Sequence, residues 1–141
     1  MTNLDQAIAL ACQAHHGQTD NAGQPYILHP LRLMMTFSDE QSQIIAVLHD
    51  TVEDSPVTLD ELRAAGFASD TVDAIDALTR RPDETYETFI DRVAVDPLAT
   101  TVKIEDLKHN MDTTRLNTLT AKDHERLDRY HRALQRLQPT S

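Results

Sequence analysis

Apolar residues recur along this chain at spacings of three and four, the period of helices packed on a core. Leu4, Ala7, Ile8, Ala11, Cys12 and Ala14 predict a first helix from Leu4 to about His16, closed by Gly17. Thr19 to Pro25 (TDNAGQP) is turn chemistry throughout and predicts a loop. Pro30 suits the first turn of a second helix, with Leu31, Leu33, Met34, Met35 and Phe37 as its apolar content and His29 just before it. Ser38 with Gln41 forms a capping box that opens a third helix running through IIAVLHDTVED to Asp54, where Ser55-Pro56 stops it. Thr58 with Glu61 caps a short helix closed by Gly66, and Ser69 and Asp83 are caps for the next two. Asp96-Pro97 is a strong helix start, and that helix reaches about Met111. Thr120 with Asp123 opens a last helix carrying Leu127, Tyr130, Leu134 and Leu137, ending before Pro139. With no strand pattern, no repeat and no composition shift, residues 1–141 read as a single all-α domain of seven or eight helices.

The third helix carries an unusual polar face. Placed on an ideal helix, His49, Asp50, Glu53 and Asp54 fall within about 140° of one another, opposite Ile44, Ile45, Val47, Leu48, Thr51 and Val52. Three carboxylates on little more than one turn repel one another, and no Lys or Arg lies between Asp39 and Arg63 to offset them. A bound cation would resolve the conflict. A second polar group lies in the helix after Pro97, where Lys103, Asp106 and Asn110 share one face within about 60° among Val102, Ile104 and Leu107. Asp106 and Asn110 are unusual on a buried side unless they are satisfied.

Composition narrows the chemistry. The chain has 141 residues, 40% of them hydrophobic, as an ordinary globular domain has. No apolar run approaches a membrane span, and the N-terminus lacks the basic region of a signal peptide. The single cysteine, Cys12, excludes an internal disulfide and reads as a small buried hydrophobe in a reducing, cytoplasmic setting. A net charge of −10 argues against nucleic-acid and anionic-membrane partners, and it makes any phosphate substrate depend on a metal and on local cations.

Together with His29, the two polar groups supply four candidate ligands, His29, His49, Asp50 and Asp106, a set that suits Mn²⁺, Fe²⁺ or Zn²⁺. Adjacent His49 and Asp50 diverge by about 100° on an ideal helix, so both reach one ion only if the backbone adjusts there. Glu53 and Asp54 are then placed to orient a water or act as general base, and Asn110 to hold a substrate oxygen or support a ligand. Plainer readings stand beside these. Glu53-Asp54 alone is a solvated helix end, Lys103 and Asp106 a simple i,i+3 ion pair, and His29 a loop residue or cap. His15, His16, His109, His124 and His131 are read as surface or structural, and Arg80-Arg81 as a helix C-terminal pair favoured by the dipole.

The segments AHHGQ (14–18), GQPYILHP (23–30), AVLHDTVEDS (46–55), DALTR (76–80) and VKIEDLKHN (102–110) occur in an order that resembles a known family. They look like the hydrolase domain of RelA/SpoT homologues, within the HD superfamily of metal-dependent phosphohydrolases; the stand-alone small alarmone hydrolases are similar in size. The resemblance covers about residues 4–110, with the last helix as a plausible equivalent. It implies His29, His49, Asp50 and Asp106 as metal ligands, Glu53 and Asp54 as the acidic pair assisting the attacking water, and Asn110 as a substrate contact. It further implies removal of pyrophosphate from the ribose 3′ position of guanosine tetra- or pentaphosphate, typically with Mn²⁺, and no alarmone synthesis.

One departure bears on substrate. The family commonly carries a basic pair in the loop after Gly-Gln, beside the bound nucleotide, whereas here the loop reads Thr19-Asp20-Asn21. Arg32, Lys103 and Arg115 remain as phosphate partners. Two rival readings follow: the same metal machinery acting on another nucleotide or phosphorylated metabolite, or a non-catalytic nucleotide-sensing module. The partner is in each case a small nucleotide-like molecule, and a homo-oligomer is compatible with all three.

Overall fold

The computed structural model describes residues 3–114 and 116–138; Arg115 and the Pro139 stop signal lie outside them. Nine helices occur among the described residues. They are α1 (Asn3–Ala14), α2 (Leu28–Met35), α3 (Glu40–Leu48), α4 (Thr51–Asp54), α5 (Leu59–Ala64), α6 (Ser69–Ala77), α7 (Tyr86–Val95), α8 (Pro97–Asn110) and α9 (Ala121–Leu137). The only bridge among them pairs Thr19 with Pro25 at the neck of the predicted loop, so the all-α expectation holds. No described helix is long and apolar enough to cross a membrane.

α3 is the centre. Ile44, Ile45, Ala46, Val47 and Leu48 are buried in succession, so this helix is apolar all round rather than on one side. It packs on α1, α2, α6 and α8. The polar face expected on it does not exist as such, because the helix stops at Leu48. Asp50 takes φ −103°, ψ 0°, in the sparsely used bridge region, and a separate short helix, α4, starts behind it. The break supplies the backbone adjustment that adjacent His49 and Asp50 need, and it raises the helix number from eight to nine.

Capping explains most other boundaries. Asp96 accepts from the Ala99 amide with Pro97 following and Thr120 and Asp123 cap each other reciprocally, as expected, while at Thr58 only half of the expected box forms, its hydroxyl accepting from the Glu61 amide. Three starts shift. Asp39 rather than Ser38 caps α3 through the Ser42 amide, a carboxylate being the better complement to a helix N-terminus. Ala68 rather than Ser69 precedes α6 with no side-chain cap, and Thr85 rather than Asp83 caps α7. His29 lies inside the first turn of α2 rather than before it, because the turn at Pro25 starts the helix two residues ahead of Pro30. Cys12 is exposed, not buried: the inward stripe of α1 runs Ala7, Ala11, His15, and Cys12 lies about 100° off it.

The joint between α6 and α7 is held by arginines. Arg81 donates to the Asp76 and Thr79 carbonyls at the end of α6, as a basic residue at a helix C-terminus is expected to, whereas Arg80 reaches past it to the Glu84 carbonyl. Arg92, from α7, donates to the Asp76, Ala77 and Thr79 carbonyls and makes a two-point pair with Glu84, Nε–Oε2 2.9 Å and Nη2–Oε1 2.9 Å. These hydrogen bonds from Arg92 hold the Glu84 carboxyl down to about 2. Arg92→Ala should therefore destabilise the fold by about 1–3 kcal/mol, measured by urea unfolding, since it removes the two-point pair from Glu84 and the side-chain donor of the Ala77 carbonyl while Arg81 still serves Asp76, Thr79 and one Glu84 oxygen. Glu84 is depressed relative to the unfolded chain, so its contribution is complete above the ordinary glutamate range and is lost as pH falls toward about 2. The stability difference between wild type and Glu84→Gln should accordingly be constant above pH ~5 and shrink below it.

Candidate metal centre and catalytic cleft

Three elements bring the predicted ligands together. α2 presents His29, the end of α3 presents His49, and α8 presents Asp106. All three are buried, with 7%, 3% and 2% of their surfaces exposed. One ligand atom from each lies within 4.8 Å of the others. His29 Nε2 is 2.9 Å from Asp106 Oδ1, and His49 Nε2 is 3.4 Å from the same oxygen and 3.0 Å from Asp50 Oδ2. Asp50 thus stands at the edge of the cluster on the α4 side of the break.

The hydrogen bonding around His49 tests whether a cation fits. Its Nδ1 sits 2.6 Å from the Ala46 carbonyl, which accepts only, so Nδ1 carries the proton. Its Nε2 is buried without a hydrogen-bond partner and faces two carboxylates. A metal-ligating histidine has this arrangement, one nitrogen fixed by a carbonyl and the other bare. Burial opposes charge on His49, yet the Asp50 and Asp106 carboxylates outweigh it and push the imidazole well up. The same negative field that would hold a proton there would hold a divalent cation, so these residues fit one.

Asp106 is the most heavily engaged group. Besides His29 and His49 it meets Asn110 Nδ2 at 3.3 Å, and its second oxygen accepts from Lys103 Nζ at 2.9 Å. Burial alone would raise Asp106, but Lys103 and His49 hold it well below the usual carboxylate range. Lys103 and Asp106 therefore form the i,i+3 pair that their spacing allowed. The Lys103 ammonium also lies over the Phe89 ring, 5.4 Å from its centroid, on the inner side of α8. Glu53 and Asp54 reach solvent from α4. Partial burial and the Asp50 charge push both upward, with Lys103 countering at Glu53 and His15 at Asp54.

Beside the metal cluster is a cleft of about 230 Å³, bounded by the 19–22 loop, Tyr26, His29, Asn110, Arg126 and Tyr130. Two residues in it were missed from sequence, Arg126 and Tyr130, which α9 brings in; Arg126 is ion-paired with Asp123. Their i,i+4 spacing was visible, but nothing local marks that side of α9 as facing a cleft. Tyr26 was missed as well. Its hydroxyl donates to Asp50 Oδ2, and burial together with Asp50 drives its pKa strongly upward, so it remains a donor. The motif GQPYILHP contained it, three residues before His29. Arg32 lies outside this cleft, on a neighbouring one of about 430 Å³ shared with His29, Lys108 and His109.

The 19–25 loop is folded on Asp20. Its Oδ1 accepts from the Ala22 and Gln24 amides, both at 2.9 Å, so the carboxylate organises the turn. His15, buried and packed 5.0 Å from the Tyr26 ring, bonds Gln18 through Nδ1 at 2.8 Å. Gln18 in turn donates to the Asp54 carbonyl at 3.0 Å.

Binding of Mn²⁺ should raise the unfolding midpoint of the wild-type chain by mass action, and Asp106→Ala should remove that rise, with affinity reduced more than about a hundredfold by titration calorimetry. Tyr26→Phe, which removes only the hydroxyl on Asp50, should weaken affinity by about tenfold.

No protein-family profile matches the chain. Among curated proteins, a probable GTP pyrophosphokinase of Mycobacterium leprae is 32% identical over 125 residues, 79% of this chain and 16% of that protein. The bifunctional (p)ppGpp synthase/hydrolase SpoT of Escherichia coli K12 is 30% identical over 124 residues, 78% of this chain and 18% of that protein. The chain thus spans about one sixth of the length of the curated relatives it matches. A solved structure described under the heading "A metazoan ortholog of SpoT hydrolyzes ppGpp and plays a role in starvation responses" superposes with a TM-score of 0.78 at 23% identity, covering 97% of this chain and 84% of that one. The motif order, the sequence matches and the shared all-helical fold agree: this chain is a homologue of one stretch of the SpoT/RelA-type proteins.

Proposed function

We propose that this chain is a divalent-metal-dependent phosphohydrolase that removes pyrophosphate from the 3′ position of guanosine 3′,5′-bis(diphosphate), with Mn²⁺ as the working ion. The observation that carries the reading is the bare, buried Nε2 of His49 among His29, Asp50 and Asp106, at the side of a cleft wide enough for part of a nucleotide. The names of the homologues, guanosine-3′,5′-bis(diphosphate) 3′-pyrophosphohydrolase among them, support the substrate class.

In this reading His29, His49, Asp50 and Asp106 hold the cation, which supplies Lewis-acid polarisation and charge neutralisation at the scissile phosphate when bound. Tyr26 orients Asp50. Lys103 acts through Asp106, keeping it ionised in a buried position, rather than by touching substrate. Glu53 and Asp54, raised above ordinary carboxylates, orient the attacking water and take its proton. Asn110 and Arg126 face the substrate in the cleft, Tyr130 offers a ring to a base, and Arg32 meets phosphate at the neighbouring cleft.

The loop folded on Asp20 favours a second reading, the same reaction on a less highly charged nucleotide, because a carboxylate beside a polyphosphate opposes binding. Incubating the Mn²⁺-loaded chain with ppGpp and a panel of nucleotides, with released pyrophosphate and phosphate quantified, separates the two. Pyrophosphate release from ppGpp that falls at least about a thousandfold in Glu53→Gln/Asp54→Asn is the expected result. Turnover of another nucleotide alone would establish the second reading, and binding of ppGpp without turnover would leave a sensing module.

A further inference from the structure

A groove of about 130 Å³ runs between α7 and α9. Its floor is Tyr86, Ile90 and Ala133, and Arg129, Arg132 and Arg136 line it from α9. Against three guanidinium groups its lining holds one carboxylate, Glu87, in a chain whose net charge is −10. Asp128 and Asp91 pair with Arg132 and Arg136 from outside the lining, so an anion entering the groove competes with two exposed carboxylates for those arginines, and Arg129 is the guanidinium with no carboxylate in the lining beside it but Glu87.

Two polar atoms at this wall are buried without a partner, the Tyr86 hydroxyl and Arg129 Nε. The Arg129 guanidinium lies over two rings, 5.1 Å from the Tyr86 centroid and 5.9 Å from that of Tyr130, which fixes its plane at the back of the groove. The outer arginines are tethered by exposed single contacts: Arg132 Nη2 to Asp128 at 3.3 Å, and Arg136 Nε to Asp91 at 3.1 Å. Exposed pairs of this kind contribute little and yield readily to a denser anion. Planar guanidiniums match phosphate oxygens two at a time, and the apolar floor accepts the body of an attached organic group.

We propose that the α7–α9 groove is a second ligand site, for a small phosphate-bearing anion, separate from the metal-side cleft. It stands one tyrosine layer behind that cleft, because Tyr86 packs 6.4 Å from Tyr130, and Tyr130 lines the cleft. An occupant that draws Arg129 away from the two rings alters the wall on which a substrate rests, so the groove is placed to regulate the cleft.

The test is calorimetric titration of the metal-free full chain with inorganic pyrophosphate, and in parallel with GDP. Working without metal keeps the outcome independent of whether the chain hydrolyses ppGpp. Arg132→Gln/Arg136→Gln, both exposed and each losing a single ion pair, should weaken binding at least tenfold at an unchanged unfolding midpoint. Arg126→Gln, in the other cleft, should leave this affinity within twofold. Tighter binding of GDP than of pyrophosphate would place an organic group on the Tyr86–Ile90 floor, and equal binding would confine recognition to phosphate; both support the site. Absence of binding by the wild type, equal binding by the double variant, or loss in Arg126→Gln instead would each overturn it.

Discussion

A buried carboxylate, Asp106, is the constraint on which the rest of this structure depends. An ionised carboxyl with 2% of its residue surface exposed survives only if every lone pair is matched. Here three side chains bond it, His29 from another helix and Lys103 and Asn110 from one turn to either side in α8, and His49 stands 3.4 Å away with its Nε2 open to a cation. The requirement explains why α8 carries polar residues where it faces the core and why it shows almost no separation of apolar and polar sides. It also explains the central position of α3, whose buried end must bring His49 to the same oxygen.

Much of this was legible in the chain. The helical period, the Asp96-Pro97 start and the Thr120/Asp123 box gave the elements nearly to the residue, because capping is local chemistry. The ligand candidates were legible because carboxylates and imidazoles in apolar company are rare without a reason. The break after Leu48 was not visible. The sequence IIAVLHDTVED is a good helix throughout by local preference, and what interrupts it is the demand that two adjacent side chains converge on Asp106 and Tyr26. Tertiary demand overriding local preference is what marks functional sites.

The same limit applies to Cys12, Arg126 and Tyr130. Cys12 fitted an apolar repeat in α1, but His15 occupies the inward place, packed on Tyr26 and tied to Gln18. Arg126 and Tyr130 belong to a helix rich in charge on several sides, and which side meets the cleft is decided by packing on α7 and α8. Asp20 is the instructive intermediate. Its negative charge in the loop was plain in the sequence, while its structural occupation, accepting two amides across the turn, required the coordinates.

Gln18 has a consequence of a different kind. Its amide joins the end of α1 to the end of α4, and its backbone carbonyl receives the Tyr26 amide at 2.8 Å. Everything between Thr19 and Pro25 therefore hangs outside a closed clasp, and the ligand-bearing frame does not need the tip for its own rigidity. The tip is ordered instead by Asp20, through its own two amide contacts, so the turn and the frame are held by separate sets of hydrogen bonds and a change in one is not transmitted to the other through the clasp.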